Sequence, residues 1–302
     1  MARWSVSVFA KNEEDSVSSC LAAVDAALAG SPSVVTVIVN GSTDRTFERV
    51  CRYRDGRRPD MRAFRSSLAS KANAWNSFVH DLKPDADLYF FVDAYARVEP
   101  DAFRRLAAAL ERHPQAHAAT SVPTTGRSAS LVAGNSIEHG GLHGTLHVLR
   151  REFVDGIVHR GIRQPFGLYR GDGLIGAMAM HDFDARRNRW DKQRVAVVTE
   201  PTWHHRPLSP FRRKDLERHF NRLVMQARGR LENAAIRDII YKDGFEALPQ
   251  HADAMIGDWL SRQSAATLLR LWLEPFTALA MRKLRPGHVP DRTGLEMPGR
   301  PA

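Results

Sequence analysis

Five short apolar runs alternate with amphipathic stretches between Ser5 and Val122, and this alternation constrains the chain more than any other feature. The runs are Ser5–Ala10, Ser33–Val39, Met61–Ser66, Leu88–Val92 and Ala116–Val122. Each is too short for a helix and fits a strand buried on both faces. Between the first two, Val17, Leu21, Val24 and Leu28 recur at helical spacing and Gly30 closes the pattern. Asn12 is the predicted N-cap there, with Glu13, Glu14 and Asp15 in the first turn. A second helix is predicted to start at Ser42 or Thr43 and run through Arg54, a third over Ser70–Leu82 and a fourth over Glu99–His113. Strands and helices alternating at this spacing specify an α/β, doubly wound, mostly parallel sheet with helices on both faces.

In such a sheet the loops after the strands gather along one edge, where ligands bind. Lys11, Asn40, Asp44, Lys71 and Asp93 therefore converge although they are far apart in the chain. Asp93 ends the most apolar of the runs and is the expected centre of the cleft. No GxGxxG follows the first strand and no GxxxxGK[ST] occurs anywhere, which disfavours dinucleotide-binding and P-loop chemistry. A nucleotidyltransferase is disfavoured by the lack of a Gly-rich, Arg-containing loop after the first strand.

The formal charge is +10 and Arg far outnumbers Lys, a balance compatible with a nucleoside diphosphate, an anionic membrane surface or nucleic acid. No nucleic-acid recognition module is present, so nucleic acid is not an expected partner. Cys20 and Cys51 have neither CxxC spacing nor a disulfide framework around them. With no signal-peptide pattern and no run of about 18 apolar residues, a cytoplasmic protein is expected.

Four segments, in order, resemble the inverting family 2 glycosyltransferases of the GT-A fold. Ser7–Glu14 is similar to that family's opening strand and loop. Asn40-Gly-Ser-Thr-Asp-Arg-Thr46 is similar to its Asp-Gly-Ser-Thr-Asp-x-Thr, and Lys71-Ala-Asn-Ala-Trp-Asn76 to its Lys-x-x-Ala-x-Asn. Phe91-Val-Asp-Ala-Tyr95 is similar to its Asp-x-Asp strand end. The resemblance implies transfer of a sugar from a nucleoside-diphosphate donor, UDP-linked by the family's habit, to a hydroxyl of a glycan or lipid-linked saccharide. Ala10, Lys11, Asn12, Asn40, Asp44, Lys71, Asp93, Ala94 and Tyr95 would then shape the donor pocket.

Two positions depart from the family pattern. Asn40 replaces the Asp that pairs with uracil, and an amide can still accept and donate there. Tyr95 replaces the second Asp of Asp-x-Asp, which holds Mg²⁺ or Mn²⁺ against the diphosphate, and a neutral phenol is a poor substitute. A divalent metal is thus expected to rest on Asp93 with help from His204 or His205, or to be replaced by cationic side chains. The alternative function is a non-catalytic nucleotide-sugar binder or scaffold of the same fold.

The later segments extend the resemblance loosely. Phe166–Met178 is similar to the family's acidic motif, which makes Asp172 the expected catalytic base. A helix cap is the plainer alternative for Asp172. Val195–Val198 is a predicted strand and Lys214–Arg230 a basic helix whose Arg222, rather than Arg218, would hold the leaving diphosphate. His139, His143, His147 and His159 show no metal spacing. Met255–Leu284 carries a helical apolar face broken at Pro275 and flanked by Arg262, Arg270, Arg282, Lys283 and Arg285. That face is expected to pack on the core or a second subunit, or to touch an anionic membrane. The expected divisions are 1–125 for the donor half, 126–232 for the acceptor half, 233–286 for a helical extension, and a disordered tail over 287–302.

Overall fold

In the computed structural model, residues 2–58, 60–123, 134, 137–138, 140–204, 212–285 and 295–296 are described. The strands are β1 (Trp4–Ala10), β2 (Ser33–Asn40), β3 (Arg62–Ser66), β4 (Leu88–Asp93), β5 (Arg97–Val98), β6 (Ala118–Pro123), β7 (Leu146–Arg150), β8 (Val195–His204) and β9 (Leu295–Glu296). They form one sheet in the order β5-β8-β6-β7-β4-β1-β2-β3-β9. β4, β1, β2 and β3 run parallel, as expected, and β6 is parallel to β8. β7 lies antiparallel between β4 and β6, so the sheet is mixed at its middle. One sheet therefore spans both expected halves.

Helices cover both faces. α1 (Val17–Ala27), α2 (Thr46–Arg57) and α4 (Ala102–Arg112) lie on one side, packing Val17, Leu21, Val24, Val50, Phe103 and Leu106 against the sheet's Val6, Val8, Val37 and Phe90. The other face is covered by α3 (Lys71–Ser77), α5 (Arg151–His159), α6 (Gly171–Met180), α7 (Arg213–Lys242) and α8 (Ala252–Ser261), closing over Phe9, Ile38, Tyr89 and Phe91. Burial of these side chains stabilises each by about 1.5–3 kcal/mol relative to exposure.

Several boundaries differ from the sequence expectation. α1 begins at Val17 with Ser16 before it, and Asn12 sits outside in a left-handed conformation at φ 54°. α2 begins at Thr46, not at Ser42 or Thr43. α4 begins at Ala102, leaving Glu99 to Asp101 ahead of it. α3 ends at Ser77 and continues as one π-helical turn, Phe78–Leu82. α7 runs to Lys242, so the expected division at residue 232 falls inside a helix. The apolar stretch after Met255 is three short helices, α8, α9 (Ala265–Leu273) and α10 (Pro275–Arg282), with Pro275 at the first position of α10. Within the tail expected to be disordered, Leu295–Glu296 pair with Ser66 and Arg65 of β3. No helix among the described residues is long and apolar enough to cross a membrane.

Candidate active site

The loops beyond β1 and β2 are stapled to each other. The Asn12 N–H donates to Ser42 Oγ at 3.0 Å and the Thr43 N–H donates to Asn12 Oδ1 at 2.9 Å. Asp44 accepts from the Glu14 N–H at 3.1 Å, the Thr46 N–H at 3.0 Å and the Thr46 hydroxyl at 2.5 Å. Burial alone would raise its pKa, but the Thr46 and Glu14 hydrogen bonds outweigh it and hold the carboxyl below its usual range. Asn12 and Asp44, both expected at the donor, thus spend their side chains on loop geometry. Gly41, at φ +63°, lies so close to Ala69 that a Cβ would fall 2.5 Å from the Ala69 Cα. Asn40 is buried at the β2 tip, whereas Lys11 is exposed at the β1 tip.

Asp93 ends β4 beside Phe9 of β1. Its carboxylate pairs with the Lys71 ammonium, which starts α3. Lys71 Nζ also donates to the Gly144 carbonyl at 3.1 Å, and the Gly144 N–H donates to Asp172 Oδ2 at 3.1 Å. One short path, Asp93–Lys71–Gly144–Asp172, therefore joins the β4 tip to the first turn of α6. The Tyr95 hydroxyl shares a 2.6 Å hydrogen bond with Thr145 Oγ1. The residue as a whole is 39 % exposed, while its hydroxyl is held on Thr145. Burial of that oxygen, then the charges of Asp93 and Asp172, raise its pKa well above the ordinary phenol value.

Two buried anchors hold this path in place. Asn76 clasps the backbone of Gln164, donating to its carbonyl at 2.8 Å and accepting from its N–H at 2.9 Å. Ser70 Oγ accepts from the Asn73 N–H as the α3 cap and from the Gly167 N–H at 3.0 Å. Just before α6, the N–H groups of Tyr169 and Arg170 both donate to the Glu232 carboxylate at 3.0 Å. Glu232 is fully buried and paired with Arg228 at 2.8 Å, and Arg228 reaches Asp253 at 2.7 Å. Nothing in the local sequence pointed to Glu232 or Arg228, since their partners lie more than 60 residues away in one case.

Residues 5–163 match the sequence pattern described as glycosyl transferase family 2. The chain belongs to that family. No curated protein matches it. Among solved structures, the glycosyltransferase is similar to a mannosyltransferase from Pyrobaculum calidifontis bound to GDP-mannose and Mn²⁺. The identity is 19 %, covering 93 % of this chain and 84 % of that one, with a TM-score of 0.55. It is also similar to glucosyl-3-phosphoglycerate synthase from Mycobacterium tuberculosis, bound to Mn²⁺, UDP and glucosyl-3-phosphoglycerate. There the identity is 19 %, over 74 % and 77 % of the two chains, with a TM-score of 0.52. These likenesses establish the GT-A fold.

Two histidines of the glycosyltransferase join the site without any spacing that announced them. His143 precedes Gly144, with its N–H on Thr120 Oγ1 at 2.7 Å and its ring 5.3 Å from that of Trp203. Burial lowers its pKa although Asp172 and Asp93 pull it up, which places His143 within electrostatic reach of both carboxylates. His147 lies beneath, stacked on Phe91 at 5.0 Å, with Nδ1 donating to the His143 carbonyl. From α7, Arg218 donates to the Asn12 carbonyl at 3.4 Å, while Arg222 acts on Tyr169, three residues before Asp172. Arg218 therefore stands beside the loop after β1, and Arg222 lies one turn further along the same helix.

The metal set expected from Asp93, His204 and His205 does not assemble among the described residues. His204 Nδ1 lies 3.3 Å from Glu99 Oε1, and Asp93 carries Lys71. His205 lies outside the described residues. No group of three or more His, Cys, Asp or Glu among them could hold a metal ion. A hard divalent cation needs several oxygen ligands, so this donor set does not fit one. The surface hollows beside Arg237 and Tyr241, about 550 Å³, and beside His113 and Val197, about 400 Å³, touch none of these residues.

Proposed function

We propose that the protein transfers a sugar from a nucleoside-diphosphate donor, UDP-linked, to a hydroxyl acceptor with inversion at the anomeric carbon. The observation that carries this reading is the contact path Asp93–Lys71–Gly144–Asp172. It sets one carboxylate at the β4 tip, where a donor would lie, and a second in the first turn of α6. The second makes no salt bridge among the described residues, and one of its oxygens is held by the Gly144 N–H. Asp172 takes the proton of the acceptor hydroxyl as its oxygen attacks the anomeric carbon, and the diphosphate departs from the opposite face. Lys71, Lys11 and Arg222 supply positive charge toward the diphosphate, and the buried amide of Asn40 meets the base. Support comes from the solved relatives, whose structures hold UDP with glucosyl-3-phosphoglycerate, and GDP-mannose.

The acceptor is a saccharide hydroxyl on a lipid-linked carrier. α9 buries no residue, and Leu269, Trp272 and Leu273 are exposed on it beside Arg270, Arg282 and Lys283. Apolar side chains ringed by cations, on a chain of net charge +10, complement an anionic bilayer surface. The deciding experiment is turnover of UDP-sugars, read as UDP release, for wild type and Asp172→Asn. Turnover lost in the variant, with nucleotide affinity retained, supports the reading. Undiminished turnover in the variant removes Asp172 as the base, and nucleotide binding without turnover in wild type favours the non-catalytic alternative.

A further inference from the structure

In the solved relatives described above, Mn²⁺ accompanies the nucleotide. In this protein the tip of β4 offers a metal little. Asp93 is its single carboxylate, since Tyr95 stands two residues on. The Tyr95 hydroxyl is occupied by Thr145, and a phenol that keeps its proton offers a divalent ion only a weak neutral oxygen. Asp93 already carries a cation. Lys71 is no loose surface lysine: it begins a capped helix, and its ammonium is held at once by Asp93 and by the Gly144 carbonyl. A divalent ion at Asp93 would have to displace that ammonium or sit against its charge. The described histidine of the expected set, His204, is engaged by Glu99.

We propose that Lys71 is the cation that faces the donor diphosphate here, so that donor binding and transfer proceed without a divalent metal. This rests on the glycosyltransferase reading of the site and adds to it the identity of the charge that offsets the leaving group. In the transfer step the bond from the anomeric carbon to the diphosphate oxygen breaks, and its electron pair stays on that oxygen. The acceptor oxygen forms the new bond to carbon and loses its proton to Asp172. Lys71 remains an ammonium throughout, donating to the departing oxygen while Asp93 and the Gly144 carbonyl fix its position. A primary ammonium is a compact point charge suited to phosphate, and it needs no further ligands to be held there. Arg218, on α7, donates to the Asn12 carbonyl beside the β1 tip and adds a second positive charge on that side.

The test is calorimetric titration of the full chain with UDP, and separately with GDP, in EDTA and in Mn²⁺. Under the proposal one nucleotide binds in EDTA and Mn²⁺ changes its affinity by less than about twofold. Lys71→Met weakens that binding by roughly tenfold or more, as loss of a charge-assisted contact should. Tyr95→Asp, which rebuilds a two-carboxylate tip, makes the affinity rise with Mn²⁺ by roughly tenfold, and bound Mn²⁺ then broadens its paramagnetic resonance signal. A wild-type affinity that rises tenfold with Mn²⁺, or a Lys71→Met protein that binds as well as wild type, overturns the inference and leaves the glycosyltransferase reading standing. Failure of a folded wild-type protein to bind either nucleotide under any condition overturns both.

Discussion

Gly144 and Asp172 touch in a way that leaves no room for a side chain between them. The Gly144 N–H donates to Asp172 Oδ2 at 3.1 Å, and a Cβ on residue 144 would lie 3.1 Å from both the Asp172 Cγ and Oδ2. Because the Gly144 backbone is not left-handed, alanine there is unstrained in itself and acts only by pushing the carboxylate away. Gly144→Ala should therefore fold normally and move the carboxylate by a few tenths of an ångström, lowering kcat by less than the ~10²-fold that a misplacement of ~1 Å costs. Nucleotide affinity should change little. Steady-state kinetics with a thermal melt checks this, and an unchanged kcat would show that Asp172 tolerates the shift.

The Glu232 carboxylate is the single acceptor for two consecutive N–H groups, those of Tyr169 and Arg170, and it is also the partner of the half-buried Arg228. Burial raises its pKa, while Arg228 and the two N–H groups draw it back. Glu232→Ala leaves Arg228 with Asp253 and the Gly167 carbonyl and strands both N–H groups, so it should cost about 3 kcal/mol of stability. Replacing both members of the pair, Arg228→Met with Glu232→Met, should recover part of that loss. Urea denaturation of the three proteins measures it. A single variant as stable as wild type would mean that the segment before α6 is held by other contacts.

How much of this could be read beforehand follows from the range of each interaction. β1, β2 and β4 were legible because an unbroken apolar run has one use in a sheet covered on both faces. The end of α7 was not: the basic stretch Lys214–Arg230 covers only the first part of a helix that runs to Lys242. Within that helix Gly229 lies against Arg170, where a Cβ would sit 2.8 Å from the guanidinium Nε. Lys71, Asp93 and Asp172 were found from local motifs, yet the contact that joins them runs through a backbone peptide, which no residue pattern encodes. The reverse holds for Asn12 and Asp44, whose polar side chains suggested a ligand. They bind each other's loops across about 30 residues. His143 escaped notice because its significance lies in three-dimensional nearness to two carboxylates and not in any spacing to other histidines.

His147 gives the fold an acid-sensitive point. Its ring is buried, Nδ1 donates to the His143 carbonyl, and Nε2 has no hydrogen-bond partner among the described residues, so a second proton would enter a site that offers it none. Burial first, then the charge of Lys71, push its pKa down to about 3. The unfolded chain, with a histidine pKa near ~6.5, binds the proton more readily, so the folded state's advantage is complete above that pH and is lost as pH falls toward 3. Wild type should lose about 1.4 kcal/mol per pH unit from this residue below pH 6, and His147→Leu should not. Comparing unfolding free energies at pH 7, 6 and 5 isolates the difference. Parallel pH dependences in the two proteins would show that His147 is not the responsible group.

The C-terminal helices give the proposed membrane contact a direct test. Leu269 and Leu273 are 62 % and 74 % exposed and, at i and i+4, share a face of α9 with Trp272 between them. Arg282 stacks over the Trp272 ring at 5.7 Å, so cation and aromatic would meet a bilayer together. The protein should co-sediment with vesicles of anionic lipid and not with zwitterionic ones, and 0.5 M salt should weaken the binding, because the attraction between Arg270, Arg282, Lys283 and lipid phosphates is screened. Leu269→Ser with Leu273→Ser removes two apolar side chains that each contribute about 1.5–3 kcal/mol when buried, enough to lower vesicle affinity by more than tenfold. Since both leucines are exposed in the free protein, its melting temperature should hold. Binding that survives the double variant would place the contact elsewhere, and a wild-type dimer in ultracentrifugation that the double variant abolishes would assign this face to a second copy of the chain.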